Sequence, residues 1–235
     1  MEFGLWQVWE GGWVSAIMRG AAITIVVAIA AMLGGFVVGV ICGLIKWGRV
    51  RPLTYVVDGY TALVRGVPEL LIIYLLFFGS VEFVTRVATA FGYAGLADSG
   101  YAFVIAVMAI GSISGAYSTE VVRGALAAIP QGQIEAARAL GIPGLRIFRR
   151  IILPQMLRIA IPGMNNVWQV TIKDTALVSV VGLQELMRTA FIGSNTTRHP
   201  FIFYLIAAVV YLAITLVSQA GVDQAERVLR LRSRK

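Results

Sequence analysis

The sequence predicts an all-α integral membrane protein, a bundle of about five transmembrane helices. Hydrophobic residues make up 58% of the chain and charged residues only 14%, whereas soluble domains average about 45–50% apolar and about 25% charged residues. Three uncharged runs cover residues 20–45, 99–119 and 200–222. Each is longer than the ~20 residues that a helix needs to cross a bilayer. Because a soluble core rarely holds three such runs, we exclude a soluble globular domain.

Two further spans are interrupted by charged residues and cover roughly residues 53–81 and 158–183. Pro68 and Pro162 lie inside them, and each is expected to disturb its helix, which neighbouring helices can tolerate in a membrane bundle. Counting these two spans with the three uncharged runs gives five.

The basic residues predict the orientation of the bundle. Of the 20 Lys and Arg, 13 lie in clusters at 46–51, 138–158 and 227–235, after the first, third and fifth spans, and only three lie in the loops on the opposite side. Basic loops stay in the cytoplasm, so we place the N-terminus outside and the C-terminus inside. Clusters that alternate with apolar spans do not form a nucleic-acid-binding face.

The chain is predicted to be a single membrane domain over residues 1–235. Within it we distinguish an N-terminal interfacial segment at 1–14, a cytoplasmic segment at 130–156 and a basic cytoplasmic tail at 227–235. Tryptophan favours the headgroup region, and three recur at helical spacing within the first segment: Trp6, Trp9 and Trp13. Packing of these rings against the bundle explains the spacing equally well.

The first span carries Gly35, Gly39 and Gly43, one on each helical turn. Such a strip lets two helix backbones approach closely. The pattern leaves open whether the partner helix belongs to this chain or to another.

The cytoplasmic segment contains the stretch EAARALGIPGLRIFRRIILP, which is too polar to span a membrane. Ile134, Ala137 and Leu140 are predicted to share one side of a short helix, and Gly141 is predicted to end it in the left-handed conformation. Pro143 then falls in the first turn of a second helix. Two short helices at an angle would suit a groove on another protein, although an Arg-rich loop that only sets the topology is the simpler alternative.

The same stretch resembles the EAA signature of the permease subunits of bacterial ABC importers. The matching residues are Glu135, Ala136, Ala137, Gly141, Ile151, Leu153 and Pro154. The stretches 65–79, 115–141 and 165–186 are similar to the polar amino acid permeases, above all to the Q-type subunit of histidine and lysine-arginine-ornithine importers and their opine-importing relatives. The resemblance implies a type I ABC importer permease fold, in which the EAA segment is a coupling helix that docks into an ATP-hydrolysing subunit.

The resemblance also implies the partners and the substrate class. They are a second permease subunit, as a rule a paralogue, two ATP-binding subunits and a periplasmic solute-binding protein, at the bacterial inner membrane. The implied substrates are histidine, lysine, arginine, ornithine or opines such as octopine and nopaline. The chain lacks the G-x-x-x-x-G-K-[ST] phosphate-binding sequence, so ATP and Mg²⁺ are expected on the partner ATPase, and this chain is expected to be a transport subunit that is not itself an enzyme.

Charged residues within spans are candidates for the substrate path, because each is costly in hydrocarbon. Three such pairs occur, namely Arg65 with Glu69, Glu120 with Arg123, and Lys173 with Asp174. The helical spacing of the first two pairs allows the two side chains of each pair to neutralise each other directly. The alternative to a role in the substrate path is therefore a purely structural one. The functional interpretation is that a carboxylate meets a cationic substrate, with Glu69 ranked ahead of Glu120 and Asp174.

Three rival functions remain to be weighed. A secondary amino acid transporter or channel without an ATPase would explain the spans but not the EAA segment. An intramembrane enzyme is disfavoured, because no His/Asp/Glu metal cluster occurs within the spans and the only histidine, His199, is predicted to lie at the outer surface. A scaffold subunit with no pathway of its own is the hardest to exclude, and the identity of the transported molecule stays open.

Overall fold

The computed structural model describes residues 11–90 and 100–232, and all of the regular structure in these ranges is helical. The helices in chain order are α1 (Trp13–Gly48), α2 (Arg51–Gly66), α3 (Glu69–Ala90), α4 (Gly100–Ala127), α5 (Gln131–Ala139), α6 (Gly144–Ile147), α7 (Leu153–Asp174), α8 (Leu186–Thr197) and α9 (Pro200–Arg232). A π-helical turn, Phe148–Ile152, joins α6 to α7, and a 3₁₀ helix, Thr175–Val181, follows α7.

Three helices in the described ranges are long and apolar enough to cross a membrane unaided. They are α1, α4 and the Pro200–Val222 part of α9. The count reaches the predicted five only if two bent pairs each form one span. One pair is α2 with the Glu69–Phe83 part of α3, bent by 110°, and the other is Gly144–Val181 with α8, bent by 50°.

The two prolines in the interrupted spans behave differently. Pro68 separates α2 from α3, and its carbonyl accepts hydrogen bonds from the amides of Leu71 and Ile72 at 2.9 and 3.2 Å. Val67 before it is extended, as a residue preceding proline prefers. The expectation for Pro68 is therefore confirmed, but the one for Pro162 is wrong, because α7 runs through that proline without a break.

The glycine strip of α1 packs against α4 of the same chain, which answers the question that the sequence left open. A Cβ atom at Gly35 or Gly39 would overlap Ser114 or Ser118, and one at Gly43 would lie 2.6 Å from Val122 Cγ1. A Cβ atom at Gly34, which faces away, would meet nothing within 4 Å. The strip thus brings the backbones of α1 and α4 into contact and makes this pair the centre of the bundle.

Two apolar clusters surround that centre. One buries Ile110 and Ile113 of α4 against Ile73 of α3, and the other lies at the end of α4 beneath α5 and α6. The ring of Trp13 packs edge-on against Phe203 of α9, with 5.2 Å between the ring centroids. For Trp13 the alternative of packing against the bundle is correct, while Trp6 and Trp9 lie outside the described residues.

Candidate functional site

The helix that carries the EAA residues is attached to the bundle by one face. Ile134 and Ala137 are buried in the apolar cluster that includes Leu126 at the end of α4. Glu135 and Ala136, on the other side of α5, are exposed. The prediction that Leu140 shares the buried face is wrong: α5 ends before it, and its side chain is 79% exposed.

Gly141 ends α5 as the sequence predicts. Its φ is +71°, its amide donates to the carbonyl of Arg138 at 2.9 Å, and the amide of Ile142 donates to the carbonyl of Ala137 at 3.1 Å. These two hydrogen bonds define a Schellman cap, in which glycine is preferred because its backbone adopts the left-handed conformation without strain. The prediction of a left-handed cap is confirmed.

The second helix of the segment differs from the prediction in two ways. It begins at Gly144, with Pro143 immediately before its first turn. It is also not a separate short helix, because α6 continues through the π-helical turn into α7. A displacement of this segment would therefore also move the start of α7.

The outer surface of the segment combines apolar and basic side chains. Leu145 is 72% exposed and lies beside a shallow cavity of about 590 Å³, whose lining residues are Pro143, Leu145, Arg146, Arg149 and Arg150. The ion pairs within the described residues involve none of these arginines. A surface with exposed leucines and unpaired arginines is suited to contact with another protein.

The structure brings together Glu69 and Asp174, which come from the two interrupted spans. Their carboxyl groups lie close enough to interact directly, and the Tyr117 hydroxyl donates a hydrogen bond to Glu69 at 3.4 Å. The guanidinium of Arg65 lies over the Tyr117 ring, 5.7 Å from its centroid. The break at Pro68 removes the helical spacing between Arg65 and Glu69, and no ion pair in the described ranges joins them.

Glu120 belongs to a different cluster, at the predicted cytoplasmic ends of α1, α2 and α4. Its carboxylate pairs with Lys46 at 2.6 Å and with Arg123 at 2.8 Å. Lys46 also pairs with Asp58 at 2.8 Å. The neutralisation alternative is therefore confirmed for Glu120 and Arg123, with Lys46 as a second partner that the sequence did not suggest.

Sequence reasoning missed Glu185, whose side chain is fully buried. It caps the N-terminus of α8 by accepting hydrogen bonds from the amides of Met187 and Arg188 at 2.8 and 2.7 Å. The residues that usually indicate an N-cap are Ser, Thr, Asp and Asn, so a glutamate at this position gave the sequence analysis no signal.

The long apolar helices are those of a multi-pass membrane protein. The family model for the binding-protein-dependent transport system inner membrane component matches residues 35–230. The chain belongs to this family, and it is a permease subunit of the polar amino acid ABC transporter type.

The curated relatives agree with this assignment. The chain is 46% identical over 229 residues to the nopaline transport system permease protein NocQ of Agrobacterium fabrum, covering 97% of this chain and 96% of that protein. It is 39% identical over 216 residues to the histidine/lysine/arginine/ornithine transport system permease protein HisQ of Escherichia coli, covering 92% of this chain and 94% of that protein.

Solved structures show the same fold. A crystal structure of an amino acid ABC transporter with histidines matches with a TM-score of 0.82 at 28% identity and covers 97% of this chain and 99% of that chain. An inward-facing structure of the MetNI methionine ABC transporter matches with a TM-score of 0.70 at 20% identity and the same coverage. The prediction of a type I ABC importer permease fold is confirmed.

Proposed function

We propose that this permease subunit moves a cationic amino acid or an opine across the inner membrane, driven by ATP hydrolysis on partner subunits. The observation that carries the proposal is the exposed EAA segment, capped at Gly141 and continuous with α7. A second permease subunit, two ATP-binding subunits and a periplasmic binding protein complete the assembly. ATP and Mg²⁺ bind to the ATPases, since this chain has no phosphate-binding loop sequence.

The paired carboxyl groups of Glu69 and Asp174 support a cationic substrate. A guanidinium or ammonium that enters a low-dielectric cavity loses hydration, and fixed carboxylates replace part of it. Glu120 fits this role less well, because Lys46 and Arg123 already neutralise its charge. The relatives named for nopaline and for histidine, lysine, arginine and ornithine transport support the same substrate class.

An exposed polar stripe on α7 supports a path beside this helix. Arg158, Asn166 and Lys173 are exposed and recur at spacings that place them on one side of α7. The stripe is about 22 Å long at 1.5 Å per residue. Because charged side chains at membrane depth are costly against lipid, we assign this face to a water-filled passage closed by the second permease subunit.

Co-purification tests the proposal against a secondary transporter or channel. When the chain is tagged and extracted mildly from its native membrane, we expect a second permease and an ATPase with a phosphate-binding loop to co-purify. ATP hydrolysis by the complex should rise when the binding protein and arginine are added. A chain that purifies alone and transports arginine in response to an ion gradient would refute the proposal.

The orientation is part of the proposal, with a periplasmic N-terminus and a cytoplasmic C-terminus. Alkaline phosphatase is active only in the periplasm, so we expect activity in fusions at Gly92 or Ser194 and none at Gly48, Gly144 or Ser233. An active fusion at Gly144 would place the EAA segment outside the cytoplasm and contradict the ATPase-docking role.

A further inference from the structure

Glu185 joins three helices through one buried carboxylate. Besides the two amide hydrogen bonds at the start of α8, its Oε2 atom accepts one from the Tyr211 hydroxyl of α9 at 3.0 Å and one from the Thr24 hydroxyl of α1 at 3.3 Å. Four donors therefore converge on a group that is shielded from water. Three of these donors approach Oε2 and one, the amide of Arg188, approaches Oε1, so both oxygens of the buried carboxylate have hydrogen-bond partners.

Helix α1 packs closely against the start of α8 near Glu185. The Thr24 hydroxyl also accepts a hydrogen bond from the amide of Leu186 at 3.2 Å. A Cβ atom at Gly20, one turn earlier on α1, would lie 2.8 Å from Thr189 Oγ1 and 3.0 Å from the Cα atom of Leu186. The start of α8 is thus fixed to α1, and Glu185 is held with it.

Tyr211 extends this arrangement towards the carboxyl pair. Its hydroxyl oxygen lies 3.4 Å from Thr175 Oγ1, and Thr175 is fully buried. Because Tyr211 donates its proton to Glu185 and Thr175 donates its own to the Ile172 carbonyl at 2.6 Å, the two hydroxyls pack against each other without a hydrogen bond between them. Thr175 is the first residue of the 3₁₀ helix and directly follows Asp174. The backbone changes from α to 3₁₀ geometry here. Because Thr175 is bonded directly to Asp174, a displacement of Thr175 would also displace Asp174.

We propose that Glu185 is a positioning residue that acts through Tyr211 and Thr175 to hold Asp174 against Glu69. The inference rests on the proposed function, because it takes these two carboxyl groups as the place where a cationic substrate binds. Glu185 does not touch the substrate. It anchors Tyr211 to the rigid α1–α8 contact, and Tyr211 in turn limits the movement of the segment that carries Asp174.

The experiment compares two variants, each of which removes one of the two hydroxyl groups that donate a hydrogen bond to Glu185. Tyr211→Phe removes the hydroxyl that also contacts Thr175, whereas Thr24→Val removes the one that contacts only the α8 side. Arginine binding to the purified permease–ATPase complex in nanodiscs is measured by titration with radiolabelled arginine. We expect Tyr211→Phe to raise the half-saturating arginine concentration about three- to tenfold. Thr24→Val should lower the thermal stability of the complex but leave that concentration unchanged.

Thr175→Ala removes the Oγ1 atom that touches the Tyr211 hydroxyl, so it should reproduce the effect of Tyr211→Phe. If the Tyr211→Phe complex fails to assemble, this variant still tests whether the contact between Tyr211 and Thr175 affects arginine binding. Equal effects of Tyr211→Phe and Thr24→Val, or no effect of Thr175→Ala, would overturn the inference and leave Glu185 with a purely structural role. The proposed substrate site fails separately, if neither Glu69→Gln nor Asp174→Asn alters arginine binding.

Discussion

Replacing Gly141 with valine is expected to abolish transport and binding-protein-stimulated ATP hydrolysis together, while the membrane helices still assemble. The residue has a φ of +71°, and a Cβ atom there would meet nothing within 4 Å. The effect therefore comes from the backbone alone. A β-branched residue in the left-handed conformation is a steric outlier, so valine should dissolve the Schellman cap and misplace α6 relative to α5.

Two matched variants separate backbone strain from added bulk. Asparagine tolerates the left-handed conformation, so Gly141→Asn should retain much of the activity. Gly144→Val adds the same side chain three residues later, where φ is not positive and a Cβ atom also meets nothing within 4 Å. It should therefore reduce transport less than Gly141→Val does. ATPase activity and arginine uptake are measured in proteoliposomes. Wild-type uptake by Gly141→Val, or equal losses with asparagine and valine, would contradict the docking role.

The features that the sequence predicted correctly depend on local spacing. Three glycines at intervals of four residues require a close helix contact wherever the partner lies, and Gly141 between two helical stretches requires a left-handed cap. The sequence could not identify α4 as the partner of the glycine strip, because Ser114, Ser118 and Val122 approach it only through the tertiary fold. The prediction for Leu140 fails because it assumes helical spacing up to residue 140, whereas α5 ends one residue earlier, at Ala139.

The candidate site depended on contacts between distant parts of the chain, and here sequence reasoning was weaker. The spacing of Arg65 and Glu69 suggested a helical ion pair, but the break at Pro68 removes that geometry and leaves Glu69 next to Asp174. Pro162 carried the same expectation as Pro68 and leaves its helix intact. A proline's effect depends on whether neighbouring helices support the spanning segment, which a single sequence does not reveal.

Removing the charge of Glu69 is expected to reduce arginine binding far more than the binding of a neutral analogue. Glu69→Gln keeps the shape of the side chain, and citrulline replaces the guanidinium of arginine with a neutral group of similar size. Hydrogen bonds to charged groups contribute about 1.5–3 kcal/mol, so arginine affinity should fall about ten- to a hundredfold, with citrulline affinity nearly unchanged. Asp174→Asn should act in the same direction. Both affinities are measured on the purified permease–ATPase complex without the binding protein, so that its own selectivity does not mask the result.

Glu120→Gln is the matched control, because the same change is made at a carboxylate that Lys46 and Arg123 already neutralise. It should impair assembly and reduce the binding of arginine and citrulline alike, since it leaves Lys46 with only the half-exposed Asp58 as an acidic partner in the described ranges. The opposing hypothesis is that Glu69 serves only to balance Arg65. In that case Glu69→Gln should resemble the control, and the double variant Arg65→Gln with Glu69→Gln should recover much of the lost binding. Such recovery would reject Glu69 as a substrate-binding group. If Glu69 contacted the cationic substrate directly, removing the charge of Arg65 as well could not restore the lost binding.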